Sequence, residues 1–117
     1  MKEIFKRNIF FYKHYYLAFY KNQNITVKKK LNWTIELIMT IEMVPKKYFS
    51  HMEDTDGLFE IRVEVGSNIF RVFSFFDEGN LVILLNGFQK KSQKTPKNEI
   101  ELAEKLKKEY FNEKANQ

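Results

Sequence analysis

Between Gly57 and Pro96 the chain sets three apolar runs, Leu58 to Val65, Ile69 to Phe76 and Leu81 to Phe88, between short polar breaks. The breaks, Gly66-Ser67-Asn68 and Asp77-Glu78-Gly79-Asn80, have turn composition and hairpin length, and the runs are rich in β-branched and aromatic residues. This pattern predicts a three-stranded antiparallel meander. In its first strand Phe59, Ile61, Val63 and Val65 alternate with Glu60, Arg62 and Glu64, so one sheet face is apolar and the other charged. Arg71 interrupts the second strand, where an apolar residue is expected. The third strand runs into the basic segment Gln89-Lys90-Lys91-Ser92-Gln93-Lys94.

The flanking segments complete an α+β pattern. Asn8 to Tyr12 has the β-propensity of a short strand able to join the sheet. Tyr12, Tyr16, Phe19 and Tyr20 recur at helical spacing and predict a short helix over Lys13 to Asn22. Asn24 or Thr26 then caps a second helix, whose stripe of Val27, Leu31, Ile35, Ile38 and Ile41, widened by Trp33 and Leu37, reads as core. That helix is expected to end near Val44, before Pro45. A last helix starts with Thr95 as cap and Pro96 at its first position, continues through Ile100, Ala103, Leu106 and Tyr110, and frays from Asn112. The order is β, α, α, β, β, β, α in one domain over residues 1–117, with no repeat or flexible linker.

Composition narrows the function. The net charge of +5 favours a polyanionic or acidic partner. The absence of cysteine removes disulfides, thiolate metal sites and cysteine nucleophiles. No apolar run approaches the roughly 18 residues of a membrane span, and Met1 to Arg7 shows no signal-peptide core, so a cytoplasmic protein without membrane association is expected.

Most sites of chemistry have a plainer reading. His51, Glu53, Asp54 and Asp56 follow no zinc or calcium-loop spacing and read as a solvated turn; His14 reads as a surface residue. The four glycines form no phosphate-binding loop. No metal or cofactor is expected. The remaining constellation is Arg62, Arg71, Lys90, Lys91 and Lys94, with Lys46 and Lys47 on the loop before the meander. Antiparallel neighbours can bring Arg62 near Arg71 and place Lys90 and Lys91 at the same rim. The plainer reading is a solvated face with Arg62 paired to Glu60 or Glu64. Arg71, set among Ile69, Phe70, Val72 and Phe73, must be paired or face a ligand.

The stretches LFEIRV, FRVF and GFQKKSQKTP, preceded by VPKKYF and a loop ending in TDG, resemble the HigB-like branch of the RelE/ParE superfamily of toxin-antitoxin toxins, a phage-derived toxin family. The likeness spans Ile9 to Tyr110. It implies a RelE-like fold: two N-terminal helices packed on a twisted, mostly antiparallel four-stranded sheet, with a C-terminal helix. It also implies a ribosome-dependent mRNA endonuclease, inhibited by a cognate antitoxin with a helix-turn-helix DNA-binding domain.

Such an enzyme needs no metal: a ribose 2′-OH attacks the adjacent phosphate, leaving a 2′,3′-cyclic phosphate. The site helps remove one proton, stabilises the added charge and protonates the leaving 5′-oxygen. The resemblance assigns Arg71 to phosphate stabilisation, Arg62 to substrate orientation, and Lys90 or Lys91 to proton donation. Lys46, Lys47, Phe88 and Lys94 are expected to contact RNA. Related toxins often carry a histidine or tyrosine near this end, but Gln89 to Gln93 offers neither, which leaves Glu60 as the possible general base. Two alternatives are a ParE-like gyrase inhibitor and an inactive RNA- or antitoxin-binding module of the same fold.

Overall fold

The structure, a computed structural model, describes residues 5–117; Met1 to Ile4, the start of the basic N-terminal segment, lie outside the described residues. The elements run β1 (Asn8–Phe11), α1 (Tyr15–Lys21), α2 (Ile25–Thr40), β2 (Phe49–His51), β3 (Phe59–Val65), β4 (Asn68–Asp77), β5 (Leu81–Lys90) and α3 (Lys97–Ala115). The sheet has five strands rather than the expected four, in the order β1-β5-β4-β3-β2. β1 joins β5 in parallel, and all other pairs are antiparallel. The meander is present as expected. The additional strand is β2, too short at three residues to show a period.

Alternation along the strands sorts the core into two layers. Ile61, Val63, Phe70, Val72, Val82 and Leu84 face α1 and α2, where Tyr16, Val27, Leu31 and Ile38 meet them. Phe73, Phe75, Ile83 and Leu85 face the opposite way, toward Ala103 and Leu106 of α3. α1 packs against β5, α2 against β3, and α3 against β5 and β4. The charged residues of β3 therefore share the α3 face, but lie beyond the strands that α3 covers.

One irregularity decides which residues reach that face. Between β4 and β5 the register changes from Ser74 opposite Leu84 to Val72 opposite Gly87, so Phe73 faces the two residues Leu85 and Asn86. This bulge shifts the phase of β5 by one residue. Strict period two from Val82 would put Phe88 and Lys90 under α1; the bulge instead sets them opposite Arg71 and Ile69. It also turns Gly87 toward α1, where a Cβ would lie 2.5 Å from the Phe19 ring, so only glycine fits.

The helix ends differ from their sequence expectations. Asn24 caps α2 by accepting from the Val27 N–H at 3.0 Å. α2 stops at Thr40, short of Val44, because Arg7 crosses its end and donates to the carbonyls of Ile38 (3.0 Å), Ile41 (2.7 Å) and Glu42 (2.8 Å). Trp33 and Ile41, expected in the core, are exposed. Thr95 does not cap α3: Pro96 occupies the cap position without a side-chain bond. α3 continues to Ala115 instead of fraying from Asn112, since Glu113 accepts from Tyr12 and Lys114 pairs with Asp77.

Candidate functional site

On the α3 side of the sheet, three strands place Arg62, Arg71 and Phe88 in one row, each the cross-strand partner of the next. The adjacent row is Glu64, Ile69 and Lys90, and Glu60 lies on the other side, opposite Phe73. The hairpin turn at Gly66-Ser67, with Gly66 at φ 61°, fixes the register that sets Arg62 against Arg71. Arg62, Arg71, Glu60, Phe88 and Lys90 thus share one surface.

Arg71 is only 3% exposed. Its Nη1 donates to the Phe70 carbonyl at 3.1 Å, and its Nε lies 3.4 Å from Glu60 Oε2. The latter contact pairs the charges but is misaligned for a hydrogen bond, leaving Nε–H without an acceptor. Burial, reinforced by Arg62 and opposed by Glu60 and Glu64, lowers the Arg71 pKa. Lowering from so high an ordinary value still leaves a cation at neutral pH. A buried cation with an unpartnered donor calls for an anionic ligand or a structural explanation.

The pairing differs from the plainer sequence reading, since Glu60 engages Arg71 rather than Arg62. Among the described residues, the ion pairs leave Arg62 and Lys90 without carboxylate partners. Arg62 Nη1 instead reaches the Lys46 carbonyl at 3.5 Å. Phe88 is 8% exposed and packs on Phe73 with ring centroids 5.3 Å apart, so it forms a floor beneath the row and offers RNA little surface. Lys90 ends β5 and, with Lys91, Ser67, Ile69, Ser92 and Gln93, lines an open cleft of about 410 Å³. Lys94 is exposed in the loop beyond, and Lys46 and Lys47 are exposed before β2.

His51, Glu53, Asp54 and Asp56 do not converge: among the described residues, no group of three or more such side chains could hold a metal ion. No described helix is long and apolar enough to cross a membrane.

Sequence reading missed a second polar cluster on this face. Near the C-terminal end of α3, Asp77 accepts from Tyr110 Oη at 2.6 Å and Lys114 Nζ at 2.8 Å. Lys114, and then Tyr110, hold the Asp77 carboxyl below the usual carboxylate range, while burial and Asp77 push the Tyr110 phenol up to about 12. The signal available was an Asp-Glu-Gly turn together with a tyrosine and a lysine four residues apart on one helical face.

Fold and site together define a small basic α+β domain whose sheet presents an arginine-centred charged row beside a C-terminal helix. The model of the phage derived protein Gp49-like (DUF891) family matches residues 18–108. The chain belongs to that family, which is associated with RelE- and toxin-like proteins. Comparison with curated proteins gives no match.

Proposed function

We propose that this chain is the toxin of a type II toxin-antitoxin pair, a cytoplasmic endoribonuclease that cuts messages on the ribosome and is inhibited by an antitoxin with a helix-turn-helix DNA-binding domain. The observation that carries this reading is Arg71, a nearly buried cation with an unpartnered Nε–H, set opposite Arg62 on β3, a strand that α3 does not cover.

In this mechanism the scissile phosphate lies over the row. Arg71, held by Glu60 and the Phe70 carbonyl, supplies a fixed positive field, and Arg62 binds a phosphate oxygen and orients the strand. Lys90, with Lys91 beside it, protonates the leaving 5′-oxygen. Glu60 takes the 2′-OH proton as that oxygen attacks phosphorus. A carboxylate is a weak base for this step, so the ribosome's alignment of the message supplies much of the rate.

The low exposure of Arg71 favours one alternative, a binding module of the same fold in which Arg71 and Glu60 serve packing alone. Growth arrest on expression separates the readings: an enzyme loses arrest with Arg71→Lys while keeping its fold, whereas the module arrests nothing as wild type. A gyrase inhibitor would instead trap gyrase on DNA and leave messages intact.

A further inference from the structure

Around the sheet edge from the charged row lies an aromatic and cationic cluster. β2 pairs with β3 only from Phe59 to Ile61, which leaves Val63 to Val65 without a strand neighbour on that side. Beside this open edge, Lys30, Lys47, Tyr48, Arg62, Glu64 and Gly66 line a cleft of about 220 Å³. Trp33 borders it, 45% exposed and edge-on to Tyr48 with ring centroids 5.2 Å apart. Lys30 Nζ lies 4.6 Å from the Trp33 ring centre, and Lys47 Nζ lies 5.5 Å from that of Tyr48.

Surface cation–π packing explains the ring contacts. It does not explain the charge. Lys30, Lys47 and Arg62 converge on one cleft with a single carboxylate, Glu64, and the ion pairs of the described residues include none of the three. Clustered cations beside exposed aromatic faces suit single-stranded nucleic acid: phosphates meet the cations and bases stack on the rings. Arg62 connects the two places, because its backbone sits opposite Arg71 while its guanidinium reaches the edge at Lys46.

We infer that this edge binds a nucleotide of single-stranded message flanking the cleavage site, its phosphate against Lys30 and Lys47 and its base on Trp33 and Tyr48. The identity of the strand rests on the RNA-cleaving reading above. Trp33 is the only tryptophan, so its emission reports the site directly.

The test titrates the full chain with an uncleavable 2′-O-methyl oligouridylate, an abasic strand of equal length, an RNA duplex and poly-glutamate. The expected result is saturable Trp33 quenching by the single strand, with affinity falling about tenfold for the abasic strand and about tenfold again for Tyr48→Ala or Lys47→Ala on an unchanged circular dichroism spectrum. Absent quenching overturns the proposal. So does equal quenching by the abasic strand, by the duplex, which would assign the edge to folded RNA, or by poly-glutamate, which would assign it to an acidic protein. Message cutting in a translating extract is measured separately: quenching without cutting upholds the edge site and rejects the enzyme, and cutting without quenching does the reverse.

Discussion

The two halves of the α3-facing sheet surface treat charge differently. Near the end of α3, Asp77 is 5% exposed and receives both Tyr110 and Lys114, and Lys13 nearby pairs with Glu109 and Glu113. Farther along the same strand β4, Arg71 keeps an unpartnered Nε–H, and Arg62 and Lys90 have no ion-pair partner among the described residues. The cations that fasten the helix each meet carboxylates, whereas on the open half Arg62 and Lys90 meet none. An unbalanced field held on a rigid strand is available to a ligand.

This contrast yields an exchange of phenotypes. Arg71→Lys should lower message cutting by about 10²–10³-fold, the cost of removing one charge-stabilising donor set, with a native spectrum retained. Asp77→Ala should leave the cutting rate unchanged and lower stability by about 2 kcal/mol in urea titrations, because it removes a buried carboxylate's charged hydrogen bonds. The opposite assignment would break the comparison.

Gly87→Ala tests the bulge that joins the halves. Its Cβ would lie 2.5 Å from the Phe19 ring, so a loss of about 1–3 kcal/mol is expected, partly recovered when Phe19→Leu is added. An undiminished urea midpoint would show that β5 can change phase without cost.

Acid titration sharpens the fastened half. The folded pKa of Asp77 lies below its unfolded value of about 3.9, so its contribution is complete above that value and is lost as pH falls through the folded one. Wild type and Asp77→Asn should therefore differ most near neutrality and converge as pH falls through the folded pKa. Tyr110 acts on the alkaline side: its contribution is present below about pH 10 and is lost as pH rises toward its folded pKa of about 12. The smallest effect is expected for Tyr16→Phe. The Tyr16 hydroxyl is buried without a partner and burial raises its pKa, so removing it should leave stability unchanged or raise it by up to about 1 kcal/mol, with normal cutting. A loss of cutting would mean that the face under α1 also serves the site.

The legible parts of the fold carry a strong local period. Phe59 to Val65 alternates because one face is buried under α2 and the other is not, and Asn24 announces α2 through its capping oxygen. β2 is short, and the bulge at Leu85 and Asn86 is set by pairing with β4 rather than by local composition. The Arg7 cap and the length of α3 depend on partners more than 30 residues away in sequence. At the site, Arg71 was legible as a cation in an apolar run, and its pairing with Arg62 followed from strand adjacency. Its partner Glu60 and the floor formed by Phe88 required the register, and Trp33 read as core because its spacing fits the buried stripe although its ring turns to the edge beside Tyr48.

The central claim is that the open row cuts messages, and primer-extension mapping in a translating extract tests it most directly, with wild type and Arg71→Lys and with the same RNA free of ribosomes. The account predicts defined cuts with wild type during translation, few or none with Arg71→Lys, and little cleavage of free RNA. Intact messages in every lane, or equal cutting by the variant, would contradict it and return Arg71 and Glu60 to a packing role.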